Sequence, residues 1–217
     1  PEMLRPEISY LDLESAEALS PEEALFVLRL RSNEDRAYDE LVRTYHAPLY
    51  HVACRMLRDP GEAADVTQDI FVKVFRNIGR FRGQSSLRTW IFRIGFREIL
   101  NRIRWSRRRY RHATVSLEQE TQNGDGETPP MQIADRGPTP EAAMEKSERS
   151  DAVQEALWKL SSEHRSIVIL RDIQGFSYSE ISQILGVSIG TVKSRLARGR
   201  ADLKRCLMRY LSVQRIG

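Results

Sequence analysis

The chain has 217 residues, enough for one or two domains, and its 34 Lys and Arg against 30 Asp and Glu give a formal net charge of +4. No run of about 18 apolar residues and no secretory leader occurs, which predicts a soluble, cytoplasmic protein without membrane insertion. The two cysteines, Cys54 and Cys206, are far apart and belong to no Cys/His ligand pair, which argues against a metal, a disulfide scaffold or another cofactor.

The first helices are marked by their start signals. Residues 1–20 are acidic and weakly patterned, and we expect them to form a mobile leader. A Ser-Pro-Glu-Glu sequence at 20–23 begins a helix with serine as its N-cap, and Asp-Pro-Gly-Glu at 59–62 begins another. Between these signals the helical periodicity breaks near Asn33, and Pro48 is expected to kink or restart the second helix.

The helix that follows residue 60 has one apolar face and one acidic face. On the acidic face, carboxylates and an amide lie beside Val66 and Phe71, two apolar positions that the pattern places near the surface. An acidic rim around apolar anchors favours a protein partner, although a solvated helix face fits the same pattern. The candidate contact residues are Asp65, Gln68, Asp69 and Phe71.

A turn at 81–86 precedes a helix expected from Ser86 to about Arg104, in which aromatic and cationic residues alternate. Unpaired bases stack on aromatic rings at about 1–3 kcal/mol each while cations follow the backbone, so a surface for melted DNA is one interpretation. Burial of the aromatics in a core is the favoured one, with the arginines as the DNA contacts. Two apolar stripes change over near Gly95, which predicts a helix between two neighbours or a bend.

A basic run at 102–111 is followed by residues 113–148, which are acidic, rich in Pro and polar residues and poor in large apolar ones. This composition predicts a flexible linker whose ends lie roughly 35 Å apart as a random coil, and which can stretch beyond two turns of DNA, about 70 Å. Helical patterning resumes from Pro140, and strand-like alternation is absent. The predicted fold class is all-α, with two small helical domains at 21–112 and 149–213, the second a helix-turn-helix.

Residues 177–200 have the layout of that helix-turn-helix. A short helix with one apolar face leads to Gly186, the left-handed residue of a tight turn, then to Val187 at the corner and Ser188 as the cap of a second helix. The outer face of the second helix fits a major groove, although basic amphipathic helices can also be merely solvated. That face consists of Lys193, Ser194, Ala197, Arg198 and Arg200.

In this order, the segments resemble bacterial extracytoplasmic-function (ECF) sigma factors over about residues 22–110 and 150–210. Three motifs carry the resemblance: DVTQDIFVKVF at 65–75 is similar to the family's polymerase-binding helix, FRGQSSLRTWIFRI at 81–94 to its −10 element, and 171–196 to its −35-binding helix-turn-helix. The third motif is shared with other regulators, whereas the three together are specific.

The resemblance implies that the chain binds the clamp and flap regions of core RNA polymerase, single-stranded −10 DNA and duplex −35 DNA, and that an anti-sigma factor holds it inactive. Polymerase binding is assigned to the helix with Asp65, Gln68, Asp69 and Phe71. Binding of −10 DNA is assigned to Gln84, Ser85, Arg88, Trp90, Arg93 and Arg97. Binding of −35 DNA is assigned to Thr191, Lys193, Ser194, Ala197 and Arg198.

One departure from the family and one alternative remain. Many members have Ala-x-Asn where this chain has Gly-Phe-Arg at 95–97, which puts the usual −10 base preference in doubt.

The alternative is a stand-alone dimeric helix-turn-helix regulator, which would explain 177–200 alone and bind half-sites about one turn apart without polymerase. No P-loop, GxSxG or HExxH motif occurs and the histidines are scattered, so we do not expect an enzyme.

Overall fold

In the computed structural model, residues 19–114 and 151–214 are described, and within these ranges the chain forms helices and no strand. The all-α prediction is thus confirmed for the described chain. Residues 1–18 of the predicted mobile leader (1–20) and residues 115–148 of the predicted flexible linker (113–148) lie outside it. No helix in the described ranges is both long and apolar enough to cross a membrane.

Two helical units make up the described chain. The N-terminal unit contains α1 (Pro21–Arg31), α2 (Asp35–Met56), α3 (Pro60–Asn77), a 3-10 turn (Ile78–Arg80) and α4 (Leu87–Thr114). The C-terminal unit contains α5 (151–159), α6 (Ser162–Val168), a π-helical turn (Ile169–Ile173), α7 (Tyr178–Leu185) and α8 (Ile189–Gln214).

The predicted helix starts are confirmed. The Ser20 hydroxyl accepts a hydrogen bond from the backbone N–H of Glu23 at 3.2 Å, and the Asp59 carboxylate caps the first turn of α3. Asn33 has a left-handed backbone with φ of 58°, which accounts for the break between α1 and α2. Pro48 lies inside a continuous α2, so the chain does not restart there.

The predicted end of the basic helix is wrong. Helix α4 continues to Thr114 instead of ending near Arg104. Arginine has a high helix propensity, so the basic run can continue the helix beyond the last apolar positions. Helix α8 ends at Gln214.

Helix α4 lies between α2 and α3 on one side and α7 on the other, as one of the two sequence interpretations predicted. At Gly95 it approaches α2 so closely that an added Cβ would lie 3.1 Å from Leu49 Cδ2. The aromatic residues Trp90, Phe92 and Phe96 are all buried, which confirms the core interpretation of these rings. The packing on both faces explains the two apolar stripes.

Candidate nucleic-acid and protein interfaces

The helix-turn-helix is built by local hydrogen bonds. Ser177 and Glu180 form a reciprocal capping box at the start of α7, with the Ser177 N–H donating to Glu180 Oε2 at 2.8 Å. Gly186 has φ of 66° at the turn, which only glycine adopts without strain. The Ser188 hydroxyl accepts from the Thr191 N–H at 3.2 Å and begins α8. Gly186 and the Ser188 cap were predicted from the sequence, whereas the capping box was not.

The structure separates the cations of α8 into two groups. Lys193 and Arg198 are exposed on the outer face together with Ser194 and Ala197. Arg200, which the sequence placed on the same face, instead pairs with Asp172, and this carboxylate raises the pKa of the guanidinium.

The side chains of Thr191 and Arg195 are also engaged. The Thr191 hydroxyl hydrogen-bonds that of Ser188 at 2.9 Å, so it belongs to the helix cap as much as to the outer face. Arg195 pairs with Glu163 of α6 at 2.9 Å. The exposed outer face of α8 is therefore narrower than the sequence suggested, and we define the α8 face as Lys193, Ser194, Ala197 and Arg198.

A second basic surface lies where α3 and α4 meet. Arg93 and Arg97 are exposed one helical turn apart and line a groove of about 450 Å³, with Trp90 along one wall. The Trp90 ring is buried against Phe81, with 5.2 Å between the ring centroids, so it shapes the wall. The groove, here named the α3–α4 groove, is lined by Lys73, Asn77, Arg80, Trp90, Arg93, Ile94, Arg97, Glu98 and Asn101.

Sequence reasoning missed part of this groove. Lys73 and Asn77 are four residues apart on α3 and thus share one face, and Arg80 follows in the 3-10 turn. Their helical spacing was a usable signal, but their closeness to Arg93 depends on how α3 packs against α4.

The other predicted −10 residues lie away from the groove. Gln84 is exposed in the preceding turn, and Ser85 is buried with its hydroxyl donating to the Ser86 carbonyl at 3.2 Å. Arg88 points to the C-terminal unit, where its Nη2 donates to the Gln174 carbonyl at 2.6 Å. Five residues at 100° each place Arg88 about 140° around α4 from Arg93, so the two cannot share a face.

The acidic face of α3 is exposed at Asp65, Gln68 and Asp69, as predicted, whereas the expected exposure of its apolar neighbours is wrong. Val66 and Phe71 are buried at 2% and 7% exposure. The Phe71 ring stacks on His46 of α2, at 6.1 Å between centroids, and tilts against Phe75, at 5.9 Å. These partners come from packing that the periodicity of α3 alone does not reveal.

Two exposed apolar residues replace them on this surface. Val72 is 45% exposed on the same face as Gln68 and Asp69, and Trp105 of α4 is 47% exposed beside a pocket lined in part by Asp69 and Arg102. The Asp69 carboxylate accepts a hydrogen bond from Arg102 Nη2 at 3.4 Å. Acidic and exposed apolar side chains thus lie together on this surface. The exposed apolar residues are Val72 and Trp105, instead of the expected Val66 and Phe71.

Comparison with known proteins assigns both units. Residues 41–109 match the family model of sigma-70 region 2, and residues 150–203 match that of sigma-70 region 4. The chain is 31% identical over 181 residues to the ECF RNA polymerase sigma factor SigW of Bacillus subtilis (strain 168), covering 83% of this chain and 94% of SigW. It is 36% identical over 177 residues to SigM of Mycobacterium tuberculosis (strain ATCC 25618 / H37Rv), covering 82% and 80%.

Among solved structures, the fold is similar to that of the sigma factor RpoE of Bartonella quintana, in its complex with the anti-sigma factor NepR. The TM-score is 0.60 at 25% identity, over 79% of this chain and 96% of that chain.

Proposed function

This chain belongs to the ECF sigma factors, regulatory proteins that direct promoter-specific transcription initiation, and from that premise we propose how its surfaces divide the task. The N-terminal unit, with predicted boundaries 21–112, binds core RNA polymerase and melted −10 DNA. The C-terminal unit, predicted at 149–213, binds the −35 element. The chain acts in the cytoplasm with the polymerase and catalyses no reaction of its own.

The α8 face is our candidate for −35 recognition. Lys193 and Arg198 are exposed cations that can donate to guanine O6 and N7 in a major groove. Ser194 can reach a base or a phosphate, and Ala197 leaves room for a thymine methyl group. Thr191 supports this face by holding the first turn of α8 through Ser188.

The α3–α4 groove is our candidate for the melted −10 strand. Its exposed cations, Arg93 and Arg97 with Arg80, can hold successive phosphates, while Trp90 forms a rigid wall. The turn that contains Gln84 and Ser85 captures an unpaired base, as the family resemblance implies. The family resemblance also assigns Arg88 to −10 DNA, from a side of α4 about 140° away from Arg93.

The acidic face of α3 is our candidate for polymerase binding. Asp65, Gln68 and Asp69 supply a charged rim and Val72 an apolar anchor, which is the composition of a protein interface. Phe71 is buried behind this face, where its packing against His46 of α2 fixes the position of α3 and so of the acidic residues. We assign the clamp region of the polymerase to this face and the flap region to the C-terminal unit.

An anti-sigma factor is the further partner that we propose. RpoE of Bartonella quintana, whose fold is similar, was solved in complex with one. Such a partner would hold the chain inactive until a signal releases it.

The observation that carries this proposal is the presence of exposed basic faces on separate units, with the acidic α3 face on a third surface. A dimeric regulator would leave the α3–α4 groove and the α3 face without a task. The test is run-off transcription by core RNA polymerase on a genomic promoter pool, with and without the chain. New discrete transcripts that need both components support the proposal. Tight DNA binding by the chain alone, with no new transcript, would favour the dimeric regulator.

A further inference from the structure

Helix α1 contacts both ends of the 81–86 turn. Arg31, the last residue of α1, donates from Nη2 to the Phe81 carbonyl at the start of the turn. The Glu23 carboxylate, in the first turn of α1, accepts from the Leu87 N–H at the start of α4, at 2.6 Å. Eight residues rise about 12 Å along a helix and rotate by about 80°, so both side chains can reach one neighbouring segment. The turn is therefore held at its two ends by charged side chains of one helix.

The contact at Leu87 caps α4. The first N–H groups of a helix have no acceptor within it, and the helix dipole favours a carboxylate near them. Ser86 supplies one local acceptor, because its hydroxyl accepts from the Thr89 N–H at 3.1 Å. Glu23 supplies a second, charged acceptor from another helix. The start of α4, and with it the end of the turn, thus depends on α1 as well as on its own cap.

The contact at Phe81 fixes the other end of the turn. The Phe81 ring is buried and packs against Trp90, which forms a wall of the α3–α4 groove. Because the ring is held in the core, Arg31 can hold the carbonyl of the same residue in one orientation. The Nε of Arg31 is buried without an acceptor among the described residues. Since such a donor is unfavourable, stability alone does not explain why a guanidinium lies here.

The residues between these two ends have little support of their own. Within the part of the chain that the structure describes, residues 82–85 form no backbone–backbone hydrogen bond. Gly83 is buried with φ of 69°, a conformation that other residues adopt only with strain. Gln84 is exposed, and the Ser85 side chain is buried. A segment without backbone hydrogen bonds depends on its ends for its shape, and α1 supplies a charged contact at each end.

The shape of the turn before binding affects how well it can select a base. A turn that is already ordered loses little conformational freedom when it binds, so its contacts contribute fully to affinity. A loose turn can adapt to bases of different shape, and flexible loops of this kind bind several ligands with similar affinity. Contacts that order the turn should therefore raise the difference in affinity between the preferred base and the other three.

We propose that Glu23 and Arg31 are positioning residues for base capture, and that α1 holds the 81–86 turn in the shape that accepts the unpaired −10 base. This role rests on the proposed function, which assigns base capture to the turn. Each residue acts on the backbone at one end of the turn and is not required to touch DNA. Loss of either contact lowers discrimination among bases and leaves binding of core polymerase and of duplex −35 DNA unchanged.

The test measures base discrimination by the holoenzyme of core RNA polymerase and the full-length chain. Forked promoter DNAs with each of the four bases at each unpaired −10 position compete for binding, which gives an affinity ratio at every position. Glu23→Ala removes the acceptor at Leu87, and Arg31→Met removes the donor at Phe81; each should lower the ratio at the captured position several-fold. Glu23→Gln keeps an acceptor oxygen and should keep most of the ratio. Glu22→Ala, at the exposed neighbouring position, is the matched control and should leave the ratio unchanged.

Gln84→Ala distinguishes failure of the positioning role from failure of base capture. If the turn captures a base, this change lowers the same ratio, and adding Glu23→Ala should lower it no further, because both act through the turn. Wild-type ratios in Glu23→Ala and Arg31→Met, with a reduced ratio in Gln84→Ala, would overturn the positioning role and leave base capture standing. A ratio that all three variants leave unchanged would reject base capture by this turn and the positioning role with it. Equal losses at every −10 position, or weaker binding to core polymerase, would show general destabilisation and also overturn the proposal.

Discussion

Lys73 of α3 and Glu98 of α4 form an ion pair along the α3–α4 groove. The Lys73 side chain is 47% exposed, whereas that of Glu98 is only 14% exposed. The carboxylate therefore holds the lysine on the groove wall and reduces the positive charge that a nucleic-acid strand would meet. Replacing Glu98 alone would therefore change the positive charge that the groove presents to a nucleic-acid strand.

Replacing Glu98 with Gln should strengthen binding of the −10 strand. The variant keeps the size of the side chain, frees Lys73 and removes one negative charge from the groove. In a complex with core polymerase and a forked promoter DNA, affinity should rise, and the salt dependence should steepen by about 0.7 per added phosphate contact. Glu155→Gln, at an exposed position of α5, is the matched control. An unchanged affinity and salt slope would remove Lys73 from the DNA contacts.

Replacing Arg97 with Asn should alter which −10 base is preferred. Arg97 is exposed in the groove at the position where the family often has Asn. An amide can donate to and accept from a base edge, whereas a guanidinium only donates, so the two select different partners. Selection from a randomised −10 library by the two holoenzymes measures the change. Identical selected sequences would mean that Arg97 contacts phosphate alone.

Replacing Arg198 with Ala should weaken −35 binding by about 1–3 kcal/mol and relax specificity at one base pair. Arg198 is exposed on the α8 face, and it forms no ion pair with any residue in the described ranges that DNA binding would have to break. Footprinting of the holoenzyme on promoters with single −35 substitutions measures both effects. Lys204→Ala, an exposed change further along α8, should leave the footprint unaltered. If both variants behave alike, Arg198 contributes charge and no base selection.

Replacing Asp69 with Lys should weaken binding to core polymerase at least about tenfold, which is ~1.4 kcal/mol. The change reverses one charge of the α3 rim and leaves the buried side of α3 intact, so the helical content should not change. Binding is measured by titration of labelled chain with core enzyme, with Glu155→Lys as a control of equal charge change. Wild-type affinity in the Asp69 variant would assign the polymerase to another face.

Two glycines of α8 should respond oppositely to alanine. At Gly199 an added Cβ would lie 3.0 Å from Val168 Cγ2 and 3.3 Å from the His164 carbonyl oxygen, so α6 and α8 must move apart. We expect Gly199→Ala to destabilise the C-terminal unit by about 1–3 kcal/mol, more than the helix propensity of alanine returns. At Gly190 the nearest atom is Ser188 Oγ at 3.9 Å.

Gly190→Ala should therefore stabilise the helix by up to about 1 kcal/mol. Urea denaturation followed by circular dichroism compares both variants with the wild type. A gain in midpoint for Gly199→Ala would show that the α6–α8 contact is looser than the structure indicates.

Features that depend on neighbouring residues along the chain could be predicted from the sequence. The caps at Ser20, Asp59 and Ser188 and the left-handed Gly186 are set by three or four residues each, and all are present. The α8 face followed from helical periodicity in the same way. These features need no knowledge of what packs against them.

Features that depend on contacts distant in sequence could not be predicted. The pattern of α3 alone places Phe71 near the surface, whereas its ring is buried against His46 of another helix. The sequence groups Arg88 with Arg93 and Arg97, yet the partners of Arg88 belong to the C-terminal unit. The position of a candidate residue could therefore be predicted where one helix face determines it, and could not where contacts between units determine it.

The most direct test of the account is permanganate probing of thymines in a promoter bound by core RNA polymerase and this chain. The account predicts reactive, unpaired thymines around −10 only when polymerase, chain and promoter are all present, and fewer of them with Arg93→Ala than with wild type. Tight protection of the duplex by the chain alone, with no reactive thymine on adding polymerase, would contradict it.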